Sequence, residues 1–500
     1  MPRARPPATF PTLLGPPPGP GGEASTATTG SNSPRGTSMT DPARRRLLRL
    51  GVLTAAAVPL ARATGATADD RGRPHFPDAW FPVTDHGAVG DGTTDCTAAV
   101  RAAVRACHTA GGGHVLVPPG RWATGPIHLL SGVDLHVAEG ATVLFSTDPA
   151  AYLPVVRTRW QGIEVYNYSP MVYAHGQHGI GVTGRGVLDA QADDTHWWPW
   201  KGSGKYGWKP GMPNEFADWA TLEQWGAQGV PVRDRVLGAG HFLRPSFVQP
   251  HSCENVLIEG VTLRNSAFWN IHPVLSRNVT VRDVRVECEG PNSDGCDPDS
   301  CENVTIERVT FAVHDDCIVV KSGRDEDGWR VGVPSRHIRI QDCVYLSGGA
   351  AVAIGSEMSG GVSDVVARRL RLPLDPGLDE ASVASVLNVK STPARGGYVR
   401  DVRVTDVDAP AWTYVPFEVT FQYAGGTGGD RPAEVSRLTA ERWSVRGHCE
   451  YAVRVRAPAD APVDEVRLDR LAFDDAAQDM LLQSVTGLSL RHVTVNGRAQ

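Results

Sequence analysis

Short runs in which apolar and polar residues alternate recur along most of the chain, and long stretches of helical periodicity are scarce. The clearest runs are Cys253-Glu254-Asn255-Val256-Leu257-Ile258, Arg277-Asn278-Val279-Thr280-Val281, Cys301-Glu302-Asn303-Val304-Thr305-Ile306 and Arg336-His337-Ile338-Arg339-Ile340. Each is followed by a second short β-branched run, and fainter copies begin at Val365, Val399, Val435, Val463 and Leu488. Asn255, Asn278 and Asn303 lie 23 and 25 residues apart. Side chains alternate across a strand, so each unit carries an apolar face that it cannot bury alone. Short strands at this period, with no helices between them, predict a right-handed parallel β-helix in which every coil is buried by its neighbours. The asparagines then form a ladder in a turn, and Cys253 and Cys301, two coils apart, stack in the same way.

Two segments depart from the rhythm. Val100, Ala103, Val104 and Cys107 recur at helical spacing between Asp95 and Gly111-Gly112-Gly113, predicting a short N-terminal helix that caps the stack. The glycine-rich stretch before it, Asp85 to Gly92, lacks the lysine and preceding strand of a phosphate loop. Residues 190–245 hold Trp197, Trp198, Trp200, Trp208, Trp219 and Trp225 and read as an insertion loop on the binding face. Indole faces stack on sugar rings or pack a loop's own small core. Trp197 and Trp198 are taken as candidate substrate contacts.

The first 38 residues are rich in Pro, Gly, Ser and Thr and read as a disordered extension, with Met39 as an alternative start. Arg44-Arg45-Arg46 then precede an apolar run, Leu50 to Ala61, and small residues around Ala66-Thr67-Ala68. That order predicts a twin-arginine export signal over 39–68. The run is too short to span a bilayer. Residues 69–500 are expected to form one secreted, monomeric domain with no membrane attachment in the mature form.

Composition narrows the picture further. The 54 glycines and 38 prolines favour an all-β chain with many turns. A net charge of -6 without a basic stripe argues against nucleic acid as a partner. Nine cysteines, an odd number, leave at least one free thiol. Cys96 and Cys107 flank the helix, roughly 16 Å apart and too far to bridge. One disulfide is expected among Cys288, Cys296 and Cys301, the rest being buried thiols, and no CxxC pair suggests zinc.

Two acidic clusters sit one coil apart: Asn292-Ser293-Asp294-Gly295-Cys296-Asp297 and His314-Asp315-Asp316-Cys317, with Lys321 close behind. Stacked coils are ~4.8 Å apart, so Asp294 and the Asp315-Asp316 pair become neighbours. Converging carboxylates raise one another's pKa, which supplies the protonated acid and the water-activating base of glycoside hydrolysis. Turn-forming aspartates and a calcium site are the alternatives.

Several further strings stand in an order that resembles glycoside hydrolase family 28, the polygalacturonases. They are Gly184-Arg185-Gly186-Val187-Leu188-Asp189, Arg244-Pro245, Asn265-Ser266 with Trp269-Asn270-Ile271-His272-Pro273, the two acidic clusters, and Gly355-Ser356-Glu357-Met358-Ser359-Gly360-Gly361. The resemblance implies a right-handed β-helix, no metal or other cofactor, and hydrolysis with inversion of a pectin-like galacturonan or rhamnogalacturonan. It implies Asp315 as general acid and Asp294 and Asp316 as the groups that activate water. Two departures alter specificity: Gly349-Ala350-Ala351 replaces a Gly-His-Gly, and Asn388-Val389-Lys390 replaces an Arg-Ile-Lys. Lys390, Asn388, Arg395 and Tyr423 are candidate sugar contacts, and His272 or His314 could stand in for the missing histidine. Lys321 is as well suited to a structural ion pair as to the site. A wall made by the tryptophan-rich insertion would make the enzyme exo-acting. The rival readings are a calcium-dependent polysaccharide lyase and a non-catalytic carbohydrate-binding β-helix.

Overall fold

The computed structural model describes residues 72–374, 383–411, 413–426 and 428–500. The expected export signal and the segment before it lie outside the described residues. Parallel strands wind from Trp80–Pro82 to Ser489–Val495 as a parallel β-helix, with one antiparallel hairpin closing the end at Arg498–Ala499. Val256, Val279, Val304, Ile338, Val365, Val402, Leu438 and Val466 follow one another in strict register. None of the eight exposes more than 2 % of its surface. Each contributes about 1.5–3 kcal/mol by burial, and only because the coil above and the coil below are present.

The turns are columns too. Asn255, Asn278, Asn303, His337, Asp364, Asp401, Arg437 and Glu465 all have φ between +52° and +59°. Left-handed backbone costs a non-glycine residue about 1–2 kcal/mol. The asparagine ladder offsets this: Asn278 donates to Asn255 at 2.9 Å and Asn303 to Asn278 at 3.2 Å. A second left-handed column, absent from the sequence reading, pairs Arg308 with Asp283, Arg369 with Asp342 and Arg442 with Asp406 in two-pronged ion pairs of 2.5–2.9 Å.

Helix α1 (Thr97–Thr109) lays Val100, Ala103, Val104 and Cys107 on the first coils. Asp95 accepts from the Thr97 N–H at 2.9 Å and so satisfies one of its free donors. All nine cysteines are buried and free. The bridge expected among Cys288, Cys296 and Cys301 is not formed, because the thiols face different partners: Cys288 approaches the Ser266 carbonyl and Cys301 that of Pro273. Cys253 and Cys301 do share a column, with serines interleaved; the N–H of each donates to the Ser276 or Ser335 hydroxyl of the next coil at 3.0 Å.

Residues 190–247 leave the coil after Val187–Asp189 and rejoin it at Val248–His251. The segment carries α2 (Phe216–Ala227) and a short strand, Val236–Leu237, that pairs with Ile163–Asn167. With the hairpin Val156–Trp160/Ile163–Asn167 it builds a second small core of Trp160, Ile163, Val165, Leu222, Leu237, Leu243, Phe268 and Trp269. Among the described residues no helix is long and apolar enough to cross a membrane.

Candidate active site

Outside the coil interior, one sheet face presents residues at matching points of successive turns. Gln249, His272, Asp297, Val319, Ala353 and Asn388 form one column of this floor, and Asp299, Lys321, Gly355 and Lys390 the next. Asp294 and Asp316 are adjacent across coils, tied by the Gly295 N–H to the Asp316 carbonyl at 2.9 Å. Asp294, Asp315 and Asp316 each bring one carboxylate oxygen within 4.8 Å of the others. Asp294 and Asp316 are 4 % exposed, whereas Asp315 is half-exposed and opens onto the groove.

The surroundings separate the three chemically. Burial, then the nearby charges of Asp297 and Asp315, raise Asp294 well above the ordinary carboxylate range. Burial also raises Asp316 above the ordinary carboxylate range, although the ammonium of Lys390 bonded to it works against the rise. Burial opposes the charge of Lys390, yet Asp316 and Tyr423 outweigh it and hold the lysine protonated. Lys321 is 3.1 Å from Glu357 and 3.7 Å from both Asp294 and Asp297, with its ammonium 4.2 Å over the Trp269 ring. Although burial works against it, this carboxylate cage keeps Lys321 cationic. Glu357 is held well below its usual range because Lys321, Arg324 and Arg395 overcome its burial. The arrangement provides a carboxyl held toward its protonated form, a second whose ionised form the bonded ammonium favours, and a half-buried third beside them. Three carboxylates this close are also a donor set that could ligate a cation.

A hairpin lies over the floor beside the carboxylates, from Gln249 on their N-terminal side to Glu357 on the coil beyond Lys321. Thr158 donates to Gln249, and Arg159 donates to Asp299 at 2.7 Å and to Ser300 at 2.9 Å. Gln249, His272 and Asp299 are thereby 0 % exposed. At the hairpin tip Gly162, with φ +81°, lies where a Cβ would meet Arg324 at 2.8 Å and Glu357 at 3.0 Å, so only glycine allows the tip to seat on the site. The 190–247 segment supports this roof: Glu223 binds Arg324 at 2.5 Å, and Arg244 holds Glu215 and Asn292. Lys205 of the same segment reaches His314 at 2.7 Å.

The sequence-derived candidates divide into two groups. Lys390 and Tyr423 stand at the carboxylates, with Lys390 5.2 Å over the Tyr423 ring; Asn388 lies on the floor beside Ala353 and Glu418 and keeps a buried carbonyl oxygen without a partner among the described residues. Burial pushes the Tyr423 hydroxyl up to about 12. Arg395 is 4 % exposed and bound to Asp325 at 2.9 Å, beside Glu357 rather than in the open groove. His272 is sealed beneath the hairpin with Nδ1 accepting from Gln249 at 2.8 Å. Burial holds it neutral, and it has no access to the space above Asp315. Trp197 is packed in the main core against Tyr152 and Trp200, and the Trp198 indole N–H donates to the Ser266 carbonyl at 2.9 Å. Trp197 is buried, whereas Trp198 is half-buried against that core. Ala350, where the resembled family carries histidine, joins Val319 and Ala353 in a small apolar patch. Arg159, Arg324 and Asp297 were missed; Asp297 alone left a trace, as the second aspartate of its cluster.

A sequence model of the glycosyl hydrolases family 28 matches residues 239–429. The solved structure of a hyperthermoactive exopolygalacturonase from Thermotoga maritima is 40% identical, with a TM-score of 0.78, and the match covers 86% of this chain and 94% of that one. A probable polygalacturonase of Vitis vinifera is 30% identical over 334 residues, covering 64% of this chain and 59% of the relative. An exo-poly-alpha-D-galacturonosidase of Dickeya chrysanthemi is 25% identical over 374 residues, covering 69% of this chain and 58% of the relative. The chain therefore spans less than two thirds of the length of these two curated relatives.

Proposed function

The chain belongs to glycosyl hydrolase family 28, and from that membership we propose that it hydrolyses the O-glycosyl bonds of galacturonan one sugar at a time from a chain end. The observation that carries this reading is the carboxylate trio set against a roofed end of the groove. Asp315, the exposed member, donates its proton to the leaving glycosidic oxygen. Water held between Asp294 and Asp316 attacks the anomeric carbon and gives its proton to Asp316, whose ionised form the bonded Lys390 ammonium favours. The product sugar leaves with its anomeric configuration inverted. Inverting enzymes generally separate acid and base by ~6.5–9.5 Å. In this structure one oxygen of each carboxylate lies within 4.8 Å of one oxygen of the others, a spacing between near oxygens rather than between carboxyl centres.

A second assignment of the acid has its own support, since it is Asp294 that burial and its neighbours keep protonated. In that version Asp315 and Asp294 exchange roles and the reaction is otherwise the same. Export across the cytoplasmic membrane by the twin-arginine route, and action as a monomer, belong to the same proposal.

Reducing-sugar release from homogalacturonan, rhamnogalacturonan and a mixed pectin tests the reading, with Asp315→Asn and EDTA alongside. Release of monosaccharide alone from the first minutes, insensitive to EDTA and absent in Asp315→Asn, is expected. A ladder of oligomers removes the exo assignment, EDTA inhibition favours the calcium-dependent lyase, and no cleavage of any glycan overturns the hydrolase.

A further inference from the structure

Past Lys390 the groove floor continues in unbroken register over three more coils. Asn388, Glu418, Arg454 and Leu481 form one column, and Lys390, Thr420, Arg456 and Gln483 the next. Glu418 accepts from Arg454 Nε at 2.9 Å and Nη2 at 2.7 Å, and lies 3.4 Å from Arg456 Nη2. One carboxylate facing two guanidiniums leaves a positive charge in excess. Arg456 Nε is buried with no hydrogen-bond partner among the described residues. Arg454 is fixed between the rings of Tyr414 and Tyr451, at 5.1 and 5.4 Å from their centres. A fixed guanidinium pair with an unsatisfied N–H is a receptor for a carboxylate.

Position in the groove decides which carboxylate. The hairpin buries Gln249 and His272 on the N-terminal side of Asp294, whereas Asn388, Glu418 and Arg454 continue the floor on the other side. We infer that Arg454 and Arg456 form a distal subsite for the carboxylate of a uronate sugar beyond the bond that is cut. This inference rests on the hydrolase reading above. The subsite lies two strand spacings, about 10 Å, past Lys390. It also accounts for the arginine missing at Asn388: a guanidinium stands in the same column, two coils further on.

Arg456→Gln should lower the ratio of kcat/KM on polygalacturonate to that on digalacturonate about tenfold, as for loss of one charge-assisted contact. Arg454→Lys, which keeps charge but loses the fork, gives a smaller fall in the same ratio. Calorimetry on Asp315→Asn supplies an arm independent of turnover: adding Arg456→Gln weakens binding of polygalacturonate but not of its methyl ester. An unchanged ratio, or equal losses for acid and ester, overturns the subsite. Failure of the unaltered protein to cut either substrate removes the hydrolase reading instead, and the calorimetric arm still decides whether the subsite exists.

Discussion

The Lys390 ammonium is bonded to the carboxylate of Asp316, although 74 residues of chain separate them. Two coils of the stack bring them together, and both side chains are nearly buried. A buried ion pair is worth little beside a well-packed apolar pair, but removing one partner strands the other. The pair is therefore best understood as a means of favouring the ionised form of a base. Lys390→Gln should lower kcat at least about 100-fold, the usual contribution of a general base. Without the lysine, burial raises Asp316 further, so it stays protonated to higher pH and the acid limb of the kcat/KM profile moves upward. An unmoved limb would show that Asp316 is not the base.

An aryl galacturonide with a good leaving group needs no proton from the enzyme. The acid's Asn variant should therefore recover on it to within about tenfold of the unaltered protein, while the base variants stay at least about 100-fold down. Recovery of Asp315→Asn assigns the acid to Asp315, and recovery of Asp294→Asn instead assigns it to the buried member.

Asp294 also sets a dependence of stability on pH. Its pKa in the folded chain lies well above its ordinary value of 3.8. Between those two values the folded chain holds a proton that the unfolded chain has lost, so this group's contribution to stability falls as pH rises through that window. Asp294→Asn removes the dependence. The variant should be more stable than the unaltered protein at pH 7, with no gain below about pH 3.5. Urea denaturation at the two pH values measures it, and a loss at pH 7 contradicts the assignment.

The asparagine ladder makes a separate prediction about the scaffold. Asn278 both donates to Asn255 and accepts from Asn303, at φ +54°. Asn278→Ala loses both bonds and keeps the left-handed strain, for a cost of about 2 kcal/mol. Asn278→Gly relieves the strain and should cost about half as much in the same chemical denaturation.

The parts legible in the sequence were those written locally or periodically. Asn255, Asn278 and Asn303 disclose the coil because equal steps along the chain become equal heights in the stack. Asp294, Asp315 and Asp316 disclose the site because one coil separates two short acidic strings. The roof was not legible. Arg159 and Asp299 meet across 140 residues, and the hairpin that carries Arg159 has no repeat to betray its place. Trp197 was misread because an indole has the same composition in a core as on a surface; only its packing against Tyr152 tells the two apart. The Asp–Arg column escaped notice because loops of unequal length intervene between Asp283, Asp342 and Asp406.

On the chain-end reading proposed above, the hairpin seated on Glu357 leaves the cleft a single mouth. A polymer that enters by that mouth must withdraw by it, and the severed sugar lies behind the shortened chain, unable to pass it. Each cut is then followed by complete retreat of the polymer before the next, so many chains shorten in step rather than one being consumed to its end. Size profiles of a defined-length galacturonan, sampled at one tenth conversion, should show the whole population moved by one or two sugars; a surviving full-length peak beside free monosaccharide would contradict it.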